Sequence, residues 1–117
     1  MQDPSLVRIC SAQIASIWEE PAKTLLIAGM LIRHAADSGA ALICFPEQFA
    51  TGWDPESAEN LEDTSGLIVS SLREYARISQ IAVIGSFRNR GGPLPKNTAV
   101  VIDKDGRILA TYSKIHL

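Results

Sequence analysis

Apolar residues recur along this chain with two different periods. Leu6 to Ile14 reads as a first strand, short and apolar, with Arg8 and Gln13 as its longer polar members. From residue 22 to 38 the period lengthens. Leu25, Ala28, Gly29, Ile32, Ala35 and Ala36 recur at spacings of three and four, which places them on one face of a helix. Gly39 follows, where a left-handed C-terminal cap favours a residue without Cβ. Ala41 to Phe45 is a near-continuous apolar run, the signature of a strand covered on both faces, and Pro46 ends it because proline cannot donate to a ladder.

Residues 50 to 64 are polar and turn-rich and predict a long surface loop, a common seat of function. Thr64 or Ser65 is placed to cap a second helix running to about Ser79, with Ile68, Leu72, Tyr75 and Ala76 on its apolar face. Ile81 to Phe87 is the next buried strand, and 88 to 96 reads as a loop. Thr98 to Ile102 and Ile108 to Tyr112 are joined through Asp105-Gly106, a hairpin signal. The order β-α-β-α-β-β-β predicts an α/β fold: parallel neighbours with crossover helices, then an antiparallel hairpin, in one mixed β-sheet. The run ends on a strand with no closing element after it.

Composition narrows the function classes. The 117 residues fit one domain or part of one, with 46% hydrophobic and 21% charged residues, the balance of an ordinary globular chain. Net charge is -2 from 11 basic and 13 acidic residues, with no basic stripe, so nucleic acid is not an expected partner. No long apolar stretch predicts a membrane span, and Met1-Gln2-Asp3-Pro4 lacks the features of a signal peptide, so the expected compartment is the cytoplasm. The two cysteines, Cys10 and Cys44, sit in apolar runs and read as buried free thiols.

Two residues stand where chemistry is possible. Glu47 lies just past a buried strand, the place where ligands bind in open α/β sheets. Flanked by Phe45, Phe49 and Trp53, its carboxylate is expected to be partly desolvated and suited to general-base work, against the alternative of a solvated glutamate. Lys114 follows the last strand and could stabilise an oxyanion, against the alternative of a surface lysine. A Cys44–His116 pair is disfavoured because an apolar setting makes a thiol inert, and His34 reads as a structural histidine. No spacing suggests a metal site or a phosphate loop, and no cofactor is expected.

The wording around these residues carries more. Ala41-Leu-Ile-Cys-Phe-Pro-Glu-Gln-Phe-Ala-Thr-Gly-Trp53 resembles the segment around the catalytic glutamate of the nitrilase superfamily of carbon–nitrogen hydrolases. Asp105-Gly-Arg-Ile-Leu-Ala-Thr-Tyr-Ser-Lys-Ile-His-Leu117 resembles the segment around its catalytic lysine. Ile84-Gly85-Ser86-Phe87, Asn97-Thr98-Ala99 and the start Val7-Arg-Ile-Cys-Ser-Ala-Gln13 match in kind and order. The resemblance implies an α-β-β-α sandwich of the nitrilase type, with residues 1–117 as the N-terminal part of a single domain. It also implies a homo-oligomer and a small-molecule amide substrate.

In such a family Glu47 would be the general base, Lys114 would stabilise the tetrahedral intermediate, and a cysteine would attack the carbonyl or nitrile carbon to form a thioester. That cysteine lies well downstream of the lysine in the family, and neither Cys10 nor Cys44 occupies the matching position. The expectation is an incomplete Glu–Lys–Cys triad, inactive within these residues, with its cysteine beyond Leu117. The alternative is a truncated, non-catalytic module that acts in binding or assembly. The Pro-Glu-Gln-Phe-Ala-Thr-Gly stretch resembles the ω-amidase branch and favours amides over nitriles.

Overall fold

The computed structural model describes residues 5–114. Their order is β1 (Ile9–Ser11), α1 (Pro21–Asp37), β2 (Leu42–Cys44), α2 (Leu67–Ser79), β3 (Ala82–Asn89), β4 (Lys96–Ile102) and β5 (Ile108–Ser113). The strands form one five-stranded sheet in sequential order. The pairs β1–β2 and β2–β3 are parallel, and β3–β4 and β4–β5 are antiparallel. The mixed α/β sheet read from the sequence is therefore present.

Ladder partners share a face, so the register sorts the side chains. Ile43, Val83 and Ile102 fall on one face together with Val100 and Phe87, and all are buried. They pack with Leu25, Ala28, Ile32 and Ala35 of α1 and Ile68, Val69, Leu72 and Ala76 of α2 in a single core. The opposite face carries Leu42, Cys44, Ile84, Val101 and Ala99, all half-buried.

Several boundaries differ from expectation, each for a physical reason. The first strand is three residues rather than Leu6 to Ile14, because its ladder partner β2 is equally short and Leu6, Val7 and Ile9 stay exposed. Neither Thr64 nor Ser65 caps α2. Gly66 is the N-cap, and the Glu62 carboxylate takes the Ile68 N–H at 2.7 Å, while Ser65 turns back to Asp63. The segment 88–96 is not all loop: β3 runs on to Asn89, and β4 begins at Lys96. Cys10 and Cys44 are free, as expected, but half-buried.

Gly39 and Gly106 both have left-handed backbones, at φ 87° and 83°. Gly106 closes the β4–β5 connection, where its N–H donates to Asp103 and its carbonyl accepts from the Arg73 Nε at 2.7 Å. A Cβ there would stand 2.8 Å from the Arg73 carbonyl oxygen, a backbone atom that cannot step aside. Gly106→Ala is therefore expected to destabilise the chain by about 2 kcal/mol, combining left-handed strain with the clash. Urea unfolding measures this, and an unchanged midpoint would show that the turn can relax.

Candidate active site

Glu47 and Lys114 meet. The strand β2 delivers the chain to Phe45, and the turn after it is pinned at both ends. Phe45 and Phe49 are both buried, with ring centroids 4.6 Å apart. Pro46 and Glu47 between them are left exposed. Lys114 arrives from the far side, one residue past the end of β5. Its Nζ lies 3.4 Å from Glu47 Oε1.

A third residue joins the two. Asn97, buried on β4, donates its side-chain N–H to the same Glu47 oxygen, and its carbonyl accepts the Lys114 N–H at 2.9 Å. One residue thus orients the carboxylate and fixes the backbone from which the lysine extends. Thr98 and Ser113, paired in the ladder and joined through their hydroxyls at 2.9 Å, hold β5 in register directly before Lys114. Asn97 belongs to a motif that matches the family, but its sequence neighbours give it no place in the site. Its signal was a buried polar position beside two charged residues, visible only once the strands pair.

These three residues border an open concavity of about 390 Å³ on the face of the sheet away from the helices. Phe45, Ile84, Ala99 and Tyr112 give it apolar walls, and Gly85 and Ser86 also line it. Of the three aromatics expected around Glu47, only Phe45 lines it. Phe49 lies in the core, and Trp53 is half exposed. Glu47 is less enclosed than expected, with 44% of its side chain accessible and 46% of that of Lys114. An ion pair so open contributes roughly 0–1 kcal/mol to folding, so the convergence is not explained by stability.

A second polar cluster lies behind the turn and was not anticipated. Arg88 is 2% exposed and pairs with Glu19, itself 13% exposed, at 2.7 Å. Burial pushes the Glu19 carboxyl up. Hydrogen bonds from Ser57, Arg88 and Asn60, with the Arg88 charge, outweigh that and hold it below its ordinary value of 4.5.

The other residues singled out in the sequence fall elsewhere. His34 is exposed in the last turn of α1, where a basic group suits the helix dipole. Cys44 is on β2 and does not line the concavity. His116, the other half of the weighed Cys–His pair, lies outside the described residues. Among the described residues, no group of His, Cys, Asp and Glu could hold a metal ion, and no helix is long and apolar enough to cross a membrane.

The fold is that of the nitrilase-type carbon–nitrogen hydrolases. Residues 7–117 match the carbon-nitrogen hydrolase family model, and the chain belongs to that family, within the nitrilase superfamily. Among curated relatives, a nitrilase of Pyrococcus abyssi is 29% identical over 96% of this chain and 44% of its own length. An omega-amidase of Pongo abelii is 36% identical over 74% of this chain and 32% of its own. The crystal structure of an amidase from Nesterenkonia sp. superposes with a TM-score of 0.84 at 29% identity, covering 95% of this chain and 43% of that one. The chain therefore spans less than half the length of these relatives.

Proposed function

We propose that residues 1–117 supply the base and the oxyanion-stabilising cation of an amidase active site. The observation that carries this reading is the convergence of Glu47, Asn97 and Lys114 on one apolar-walled concavity. The reading also draws on the relatives. One solved form of the Nesterenkonia amidase holds acrylamide added at its active-site cysteine, and another variant is in complex with butyramide.

On this reading the nucleophile is a cysteine beyond Leu117. Glu47 removes the thiol proton as sulfur bonds to the amide carbon, and the carbonyl electron pair moves to oxygen beside the Lys114 ammonium. Collapse of the tetrahedral intermediate breaks the carbon–nitrogen bond. The protonated Glu47 returns its proton to the leaving nitrogen, and ammonia or an amine departs from a thioester. Water, deprotonated by Glu47, then attacks the thioester. A carboxylic acid leaves and the thiol is restored. The apolar walls suit a short aliphatic acyl chain, and the ω-amidase-like wording around Glu47 favours amides over nitriles.

Residues 1–117 form the N-terminal part of one hydrolase domain in this proposal. Leu26 and Met30, one turn apart on α1 and largely exposed, suit a homo-oligomer. The unpaired cysteines suit a cytoplasmic setting.

The test has two arms. Residues 1–117 alone are expected to show no turnover of a panel of small amides. Hydrolysis above a Glu47→Ala control would overturn that. The gene product with all sequence that continues past Leu117 is expected to release ammonia and to accumulate a thioester detectable by intact mass. A continuation without a cysteine at the end of a buried strand, and without turnover, would instead support the non-catalytic assembly module.

A further inference from the structure

The buried arginine behind the site has an arrangement that core packing alone does not require. Arg88 extends from the end of β3 with every guanidinium nitrogen engaged. Nη1 donates to both Glu19 carboxylate oxygens, at 2.7 and 3.0 Å, to Ser57 Oγ at 3.0 Å and to the Glu59 carbonyl at 2.9 Å. Nη2 donates to the Gly52 carbonyl at 2.8 Å, and Nε to Gln48 Oε1 at 3.2 Å. Gln48 is the residue after Glu47, and Gly52 closes the same turn through its N–H to the Gln48 carbonyl at 2.9 Å. One guanidinium thus grips the turn at both ends.

The turn needs such a grip. Gln48 is buried and sits at φ 50°, in the left-handed region that a residue with a Cβ adopts at a cost. Its N–H is taken by Ser86 Oγ at 2.8 Å, which fixes the backbone just after Glu47 from the sheet side. Arg88, two residues further along the same strand and on the same face, fixes the Gln48 side chain. Glu19, also left-handed at φ 54°, completes the frame: its N–H donates to the Thr51 carbonyl at 2.8 Å, and its carboxylate balances the guanidinium charge. With Gln48 locked, the direction in which the preceding residue presents its carboxylate toward Asn97 and Lys114 is locked too.

We propose that Arg88, held by Glu19, is a positioning residue that aims Glu47 through Gln48 and the 48–52 turn. This rests on the reading of Glu47 as the general base, and its failure can be told apart from failure of that reading. The experiment uses the gene product continuing past Leu117, with Arg88→Lys, Glu19→Gln and Glu47→Gln made in parallel. Arg88→Lys keeps the charge but loses the fork that reaches Gln48 and Gly52 together.

Expected for Arg88→Lys is a loss of about 10²-fold in kcat with KM changed less than about twofold, because the base is displaced while the concavity stays intact. Glu19→Gln, which keeps one acceptor, is expected to lose about tenfold in the same parameter. Hydrogen exchange at the Gln48 and Gly52 amides should accelerate in both, with exchange in β3 and β4 unchanged. Folded variants with parental kcat, beside an inactive Glu47→Gln, would reduce Arg88 to a structural role and overturn the proposal. An active Glu47→Gln would overturn the reading of the site, and the proposal with it.

Discussion

Glu47→Gln is expected to lower kcat for a small amide by about 10³-fold in the gene product that continues past Leu117. It should do so with little change in the unfolding midpoint. The amide keeps an oxygen to accept the Asn97 N–H, so the geometry around the turn is retained. What disappears is the capacity to take a thiol proton, and that is lost only where the proton moves. Stability is spared because the ion pair with Lys114 is nearly half exposed on both sides. Lys114→Met should act differently. It leaves a base but no cation at the developing oxyanion, a loss of about 10²–10³-fold. Steady-state kinetics with thermal melts separate the two, and a Glu47→Gln enzyme with more than about a tenth of parental kcat would remove Glu47 from general-base work.

The contrast between Glu47 and Arg88 shows what this sequence discloses. Glu47 sits in an unbroken local signal: a five-residue apolar run, a proline, and then the acid. Strand, terminator and acid follow one another within the reach of local rules. The 44% exposure of that acid lies beyond their reach, because it is set by where Phe49 and Trp53 pack. The helix face of α1, the hairpin at Asp105-Gly106 and the burial of Ile81 to Phe87 are legible for the same reason, since period and turn chemistry act over a few residues. Lys114 was legible through its position after a strand and through the words around it.

Arg88 carries no such signal. Followed by Asn-Arg-Gly-Gly-Pro, it reads as the start of a polar loop. Its partner Glu19 is 69 positions away, and the carbonyls it binds belong to a turn whose shape is set by tertiary packing. A buried charge becomes recognisable only when its counter-charge and acceptors are placed around it. Asn97 was hidden in the same way, because its bond to Glu47 spans 50 positions. The short first strand had a related cause. Nothing in Leu6 to Ile14 records that the ladder partner offers only three residues.

Arg88→Met is expected to cost about 3–5 kcal/mol, because it leaves the largely enclosed Glu19 carboxylate without its counter-charge and the Gly52 and Glu59 carbonyls without their donor. Against a typical total of about 5–15 kcal/mol, that is enough to bring the chain near its unfolding transition at room temperature. Adding Glu19→Leu should recover part of the loss, since an apolar pair of matched volume needs no counter-charge. A double variant as unstable as the summed singles would mean that the two residues stabilise the chain independently. Acid titration gives a second measurement of the same pair. The folded state holds the Glu19 carboxyl below 4.5, so between the unfolded and folded values the unfolded chain binds more protons. The stabilisation is fully present above the unfolded value and drains away as pH falls through the folded one. Glu19→Gln removes that acid-sensitive component. Its stability should therefore change less steeply than the parent's below about pH 4.5, and parallel acid limbs would show that the Arg88 pairing does not govern the titration of Glu19.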